Sequence, residues 1–273
     1  MSKEFHEKAL NYHRGARPGK IYVSSHKNIN THQGLSLAYT PGVAAPVREI
    51  LKNPNTVNEY TIKGNLVAVI TDGSAVLGLG NVGPLAAKPV MEGKAVLFKR
   101  FADIDVFNIE LDTQDVDEIV NTIKNIAPTF GGINLEDISA PRCFEIEQRL
   151  IDELDIPVFH DDQHGTAIIV AAGLLNALEI QGKTVDTVQV VCAGGGSAGI
   201  ATLNLLTELG VKRENILLVD RSGVVSQDKK KNVNKYKATF AADTKKETLN
   251  DAMNDADVFI GVARGNLVTQ EMV

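Results

Sequence analysis

Two carboxylates and two imidazoles fall close together in Phe159-His160-Asp161-Asp162-Gln163-His164-Gly165-Thr166-Ala167. The run before them, Asp155-Ile156-Pro157-Val158-Phe159, reads as a buried strand, and Thr166 to Leu178 reads as a helix. The acids therefore stand at the carboxyl end of a strand, where open α/β sheets place ligands. An Asp just before a helix also has a purely structural use, because it caps the helix and faces its positive end. A second run, Gly131-Gly132-Ile133-Asn134-Leu135-Glu136-Asp137, repeats the arrangement: a strand, two acids, then a helix from Pro141 to Leu150. An αβ topology brings neighbouring strand ends together. Glu136, Asp137, Asp161 and Asp162 would then repel one another unless a cation sat among them. Hard oxygen ligands suit Mg²⁺ or Mn²⁺.

A different chemistry is written further on. The β-branched, apolar run Thr187 to Ala193 is followed at once by Gly194-Gly195-Gly196-Ser197-Ala198-Gly199 and then by a helix from Ile200 to Glu208. Gly194, Gly196 and Gly199 supply the Gly-x-Gly-x-x-Gly pattern in the strand-to-helix setting that a dinucleotide pyrophosphate requires. The next strand, Asn215 to Val219, ends at Asp220, about 20 residues on, where an acid accepts from a ribose 2′-hydroxyl and repels a 2′-phosphate. That favours NAD over NADP, although Arg221 beside it is the residue type that holds a 2′-phosphate. An earlier Gly-x-Gly-x-x-Gly, at Gly78, Gly80 and Gly83, is a second candidate dinucleotide loop, but it follows a second apolar stretch and runs into Pro84, so its strand-to-helix setting is imperfect.

Two further residues have reactive side chains in notable places. Tyr39 stands at a loop edge before Pro41 and Gly42, ahead of a helix that starts near Pro46 and runs through Leu51. Lys94 follows a helix expected over Pro84 to Glu92, amid Val90, Ala95, Val96 and Leu97. Burial there would make its ammonium easier to deprotonate, whereas a lysine that snorkels to water keeps its charge.

The elements that must position these groups read as alternating strands and helices. Strands are expected over Gly19 to Val23, Asn65 to Ile70, Ile104 to Ile109, Ala238 to Ala242 and Ala256 to Val262. Helices are expected over Glu4 to Tyr12, ended by Gly15 and Pro18, over Val116 to Ile126, and over Lys246 to Met253. Alternation of this kind predicts an α/β fold. The 273 residues suffice for about two domains. Apolar content of 44% and charged content of 23% are ordinary for a globular chain. A net charge of −6, with Lys229-Lys230-Lys231 as the only basic block, argues against nucleic-acid binding. No run approaches about 18 apolar residues, so no membrane span is expected. The N-terminus lacks an apolar signal region, which makes a cytoplasmic location the expectation. Cys143 and Cys192 have neither zinc-site nor disulfide-framework spacing.

Taken in order, the motifs resemble the malic enzyme family, specifically its short bacterial type. Ser36-Leu37-Ala38-Tyr39-Thr40-Pro41-Gly42-Val43 is similar to the family's catalytic-tyrosine segment. Gly78 to Gly83, running on to Met91-Glu92-Gly93-Lys94-Ala95, is similar to its glycine-rich and catalytic-lysine segment. Asn134 to Asp137 and Phe159 to Ala167 are similar to its metal-ligand segments. The resemblance implies an amino-acid-dehydrogenase-like substrate domain plus a Rossmann-type dinucleotide-binding domain. Residues 1–163 would bind malate and metal and carry catalysis, and residues 164–273 would bind NAD. It implies oxidative decarboxylation of (S)-malate to pyruvate with NAD or NADP and Mg²⁺ or Mn²⁺. Tyr39 would be the general acid and Lys94 the general base, and Asp161 would support Lys94 or the metal shell. Glu136, Asp137 and Asp162 would be the metal ligands, which removes His160 and His164 from that list. Thr166 would join Gly194 to Gly199 and Asp220 at the cofactor. A homodimer is implied as well.

The pattern departs from the family at one point: Gly73-Ser74-Ala75-Val76-Leu77 holds no Arg where the long eukaryotic type grips malate. The resemblance also predicts further nucleotide-domain segments beyond Val273, so the Rossmann-type domain is expected to be incomplete. Two other readings are a malolactic-type conversion and a non-catalytic NAD- or malate-binding fragment.

Overall fold

The computed structural model describes residues 2–14 and 17–273; Gly15, expected to end the first helix, lies outside the described residues. The chain forms two compact units. One comprises the chain up to Gly73 together with Gly83–Asn134 and Glu153–Val158; the other comprises Ser74–Val82, Leu135–Asp152 and Phe159–Val273.

The first unit opens with helices that bury nothing fully: α1 (Lys3–Arg14), α2 (His32–Ala38), α3 (Ala44–Lys52) and the single turn α4 (Val57–Tyr60). Its core starts at β1 (Leu66–Thr71), whose Leu66, Ala68, Val69 and Ile70 are fully enclosed. The 20-residue α5 (Gly83–Ala102) crosses over to β2 (Asp105–Glu110), which pairs parallel with β1 from Leu66 opposite Asp105 to Thr71 opposite Glu110. A stripe of Ala87, Met91 and Ala95, each four residues apart, forms the buried face of α5. α6 (Val116–Ile126) starts where the Asp115 carboxylate accepts the Glu118 amide, and it buries Ile119, Val120 and Ile123. Lys63 donates to the carbonyls of Ala127 and Phe130 beyond the end of α6, and burial lowers its pKa. β3 (Gly132–Leu135) and β4 (Val158–His160) complete the sheet, whose strand order is β2-β1-β3-β4; α7 (Arg142–Glu153), between them in sequence, belongs almost wholly to the second unit.

The second unit is built on α8 (Asp161–Gln181), which packs along α9 (Ser197–Glu208). Gln163, Ala167, Ala171, Leu174 and Leu178 form its buried stripe. The helix stops at Gly182 (φ 64°), where the Gly182 and Lys183 amides satisfy the carbonyls of Glu179 and Leu178. β5 (Val190–Ala193) pairs parallel with β6 (Ile216–Asp220) on one side. β7 (Gly223–Val224) turns back antiparallel on β6. The short helices α10 (Lys235–Ala238) and α11 (Leu249–Met253) lead to β8 (Val258–Gly261), which pairs parallel with β5, giving the order β7-β6-β5-β8.

The expected α/β class is what forms, and most expected strands lie within a few residues of their places. Four local expectations fail for physical reasons. Gly19 to Val23 is not a strand: the Lys20 amide is taken by the Glu92 carboxylate, and Tyr22 and Val23 stand in solvent. α5 does not end at Glu92 but continues to Ala102 through Pro89, so Lys94 lies inside it. Residues 238–242 contribute only a single bridge, Ala242 to Ser226. α8 begins at Asp161, so no loop separates the strand from the acids. α2, which the sequence reading did not anticipate, is capped by Thr31 accepting from the Gly34 amide.

Both cysteines are free and enclosed. Burial pushes each thiol up to about 12, with the charges of Glu147 and Asp162 adding to the shift at Cys143. Since the thiolate is the reactive form, the native protein should take up no iodoacetamide at neutral pH under conditions that label both thiols of the urea-unfolded chain. Mass spectrometry of intact protein reads this directly, and rapid labelling of the native state would contradict the burial.

Candidate functional site

Three carboxylates meet in the second unit. Glu136 and Asp137 come from the segment leaving β3, and Asp162 from the first turn of α8. One oxygen of each lies within 4.8 Å of the others. Glu136 and Asp137 are 6% and 5% exposed, and Asp162 is partly open. The Asp137 amide donates to Asp162 Oδ2 at 2.8 Å, a charge-assisted bond that joins the two strand–helix junctions. Asp137 has φ 55°, the left-handed region that Asp tolerates better than most residues. Its carbonyl accepts the Ala75 amide at 2.9 Å. The segment beyond is tied to the same place: the Ser139 amide donates to Ser74 Oγ at 2.9 Å, and the Arg142 guanidinium donates to Ser74 Oγ at 3.0 Å and Ser139 Oγ at 3.2 Å. An all-oxygen, anionic donor set of this kind fits a hard divalent cation better than a soft one.

Asp161 stands apart from the three. A Cβ on Gly165 would overlap Asp161 Oδ1, so the Asp161 carboxylate folds back over the first turn of its own helix. Behind the cluster sits Glu147, 6% exposed, on α7. Its Oε1 accepts the His160 amide at 2.9 Å and pairs with His164 Nε2 at 2.8 Å; its Oε2 accepts the Gln163 side-chain amide at 2.9 Å. The Glu147 hydrogen bond raises the pKa of His164. Burial lowers that of the enclosed His160, against the opposing charges of Asp162 and Glu147. The His164 imidazole and the His160 amide thus support the junction, while the enclosed His160 ring makes no hydrogen bond. Sequence reasoning missed Glu147; the available signal was an acid on the apolar face of α7, in line with Cys143 and Leu150.

The nucleotide turn lies between β5 and α9. Gly194 (φ 129°) ends the strand, its amide bonded to the Val219 carbonyl at 2.9 Å. A Cβ on Gly199 would overlap the Gly194 carbonyl oxygen, whereas one on Gly196 would meet nothing within 4 Å. Gly199 is therefore required by the turn's own packing, and Gly196 leaves open space for an approaching group. Ser197 and Ala198 begin α9, whose N-terminus favours an anion. At the end of β6, Asp220 accepts Lys237 Nζ at 2.7 Å and the Ser222 amide at 2.8 Å. Burial would raise the Asp220 carboxyl, but the bond and charge of Lys237, the Ser222 amide and the charge of Lys229 together hold it below the ordinary range. Sequence reasoning did not single out Lys237, which also runs across Gly195.

The remaining predicted residues are placed individually. Thr166 is partly exposed in α8. Tyr39 ends α2 in the first unit, 74% exposed. Lys94 is partly buried in the middle of α5, in the same unit, just before the enclosed Ala95.

The second unit is thus a Rossmann-type nucleotide-binding unit that also carries a triad of acids with cation-binding chemistry. Residues 18–151 match the profile of the malic enzyme N-terminal domain and residues 163–272 that of the malic enzyme NAD binding domain. An NADP-dependent malic enzyme of Halomonas elongata is 53% identical over the whole chain, which covers 64% of that protein. A bifunctional malic/malolactic enzyme of Bacillus subtilis is 52% identical over 98% of the chain, covering 65% of its own length. The crystal structure of the NAD-dependent malic enzyme from Thermotoga maritima superposes with a TM-score of 0.89 at 44% identity, over all of this chain and 71% of that one. The chain belongs to the malic enzyme family, and it spans less than two-thirds of the two curated relatives it matches here.

The two glycines separate packing from ligand access. Gly199→Ala should cost stability, about 1–3 kcal/mol as an overpacked site, and lower the urea midpoint. Gly196→Ala should leave the midpoint within about 0.5 kcal/mol of wild type. Equal losses would show that the turn is not packed as described.

Proposed function

We propose that the protein oxidises and decarboxylates (S)-malate to pyruvate and carbon dioxide, reducing NAD or NADP. The observation that carries this reading is the convergence of Glu136, Asp137 and Asp162 in the same unit as the Gly194–Gly199 turn. A divalent cation held by those three acids, Mg²⁺ or Mn²⁺, would supply Lewis acidity to the substrate's C2 oxygen. NAD or NADP, held at Gly194, Gly195, Gly196, Ser197, Ala198 and Gly199 with Thr166 and Asp220 beside it, would supply the hydride acceptor.

The chain's own groups handle the protons. Neutral Lys94 takes the proton of the C2 hydroxyl as that carbon gives up its hydride. The bond between C3 and the departing carboxylate then breaks, and Tyr39 supplies the proton that C3 of the resulting enol requires. A phenol suits that step as a weak acid that is uncharged before it acts. Asp161 supports this machinery through charge and orientation. The division of labour we propose runs at residues 163 and 164, with substrate groups before and nucleotide groups after. A homodimer is the assembly we propose; the apolar side chains that the first unit leaves exposed, Leu37 and Leu51 among them, support it.

Between the cofactors we favour NAD. Lys237 is already held by Asp220, so a 2′-phosphate would meet the acid and compete with it for the lysine. Asp220→Ala should therefore raise kcat/KM for NADP relative to NAD by about tenfold or more, the scale of one removed like-charge contact. An unchanged ratio would remove Asp220 from the choice.

The decisive assay supplies malate, Mn²⁺ and NAD or NADP and follows pyruvate and reduced cofactor together. Equimolar appearance of both is expected. Lys94→Ala should abolish malate oxidation while leaving cofactor binding intact, and oxidation at the wild-type rate would reject the base. The malolactic reading is supported by the Bacillus subtilis relative, a bifunctional malic/malolactic enzyme. Lactate without net reduced cofactor would favour it over the decarboxylating one.

A further inference from the structure

Glu147 makes an arrangement that folding alone does not call for. Its carboxylate is buried, and it bonds three times to one turn: to the His160 amide at 2.9 Å, to His164 Nε2 at 2.8 Å and to the Gln163 side chain at 2.9 Å. Enclosing a carboxylate costs free energy even when it is hydrogen-bonded, and an apolar residue of similar volume is often at least as good for stability. What the carboxylate provides is direction. Residues 160, 163 and 164 flank Asp162, so the backbone that carries Asp162 is held on both sides. From that fixed turn, Asp162 Oδ2 reaches the Asp137 amide at 2.8 Å, and the enclosed His160 ring lies 3.8 Å from the same oxygen.

We propose that Glu147 is a positioning residue for the three-acid cluster: by clamping the first turn of α8, it sets Asp162 against Glu136 and Asp137 for a divalent cation. The proposal rests on the reading that these acids hold a cation. Groups behind metal ligands tune affinity in this way, and their loss weakens binding by about 10–100-fold. Glu147 touches neither substrate nor cation and acts through Asp162.

The test is Mn²⁺ affinity, measured by calorimetric titration and by the Mn²⁺ electron paramagnetic resonance spectrum, alongside the urea midpoint. Wild type should bind Mn²⁺, and Asp162→Ala should bind it far more weakly. Glu147→Ala should lose about 10–100-fold in affinity, with partial rescue by Glu147→Gln, whose carbonyl still accepts the His160 amide. Leu150→Ala, an enclosed position on the same helix with no polar link to the turn, should lose stability but bind Mn²⁺ like wild type. Wild-type affinity in Glu147→Ala, or an equal loss of affinity in Leu150→Ala, would overturn the proposal. If Glu147→Ala does not fold, His164→Leu at its partly exposed site decides. Several-fold weaker binding supports the clamp, and unchanged binding rejects it. A wild-type protein that binds no Mn²⁺ would remove the metal reading itself, and the proposal with it.

Discussion

The bond from the Asp137 amide to the Asp162 carboxylate ties the end of one strand–helix junction to the start of another. The acids it gathers have oxygens within 4.8 Å of one another. Unit charges about 4 Å apart interact by about 1 kcal/mol in water and about 4 kcal/mol near a protein surface, so such a cluster is a standing electrostatic load. Part of that load is met by the backbone: an amide on Asp162 and the N-terminal end of α8 beneath it. A divalent cation would meet more of it. The left-handed conformation of Asp137 belongs to the same arrangement, because it turns the amide of a ligand-type residue toward the carboxylate of another.

The nucleotide turn obeys a different constraint, that of space. Gly199 has no room for a side chain because the Gly194 carbonyl occupies the place. Gly194 adopts a positive φ at the strand end. Gly196 faces open space, which a helix N-terminus makes attractive to a phosphate. One short motif thus combines a steric requirement, a conformational one and a vacancy. The earlier glycine run, Gly78 to Gly83, has positive φ at all three glycines but folds as a small loop bridged from Val76 to Gly80. Both runs lead into a helix, α5 from Gly83 and α9 from Ser197, but only Gly194 follows a strand directly.

What was legible in the sequence was local. The alternation of apolar strands and amphipathic helices carried the fold class, and the acids at strand ends carried the cluster. The helix α6, with Asp115 before it and Ile119, Val120 and Ile123 on one face, was legible to the residue. What was not legible depends on contacts between distant segments. Gly19 to Val23 has strand-type residues but pairs with no strand, so it forms no regular element and stays mostly exposed. The expected helix stops at Glu92, yet the stripe of Met91 and Ala95 carries α5 on past Lys94. Glu147 and Lys237 escaped notice because their partners lie 13–17 residues away. A buried acid and an ion-paired lysine look like surface charges until their partners are known.

The paired acids at the start of α8 show why capping and chemistry were never true alternatives. Consecutive helical residues point about 100° apart, and the two acids of this turn are directed differently. Asp161 folds back against the backbone at Gly165, which has no Cβ to prevent it. Asp162 turns instead to Asp137 and the acid cluster. Both benefit from the positive end of the helix, and that shared benefit is what makes a doubled acid tolerable there. The electrostatics that would stabilise any cap lower the cost of concentrating negative charge at this point. Helix α8, starting without a loop directly on the strand end, delivers that charge to a place fixed by backbone geometry rather than by a flexible segment.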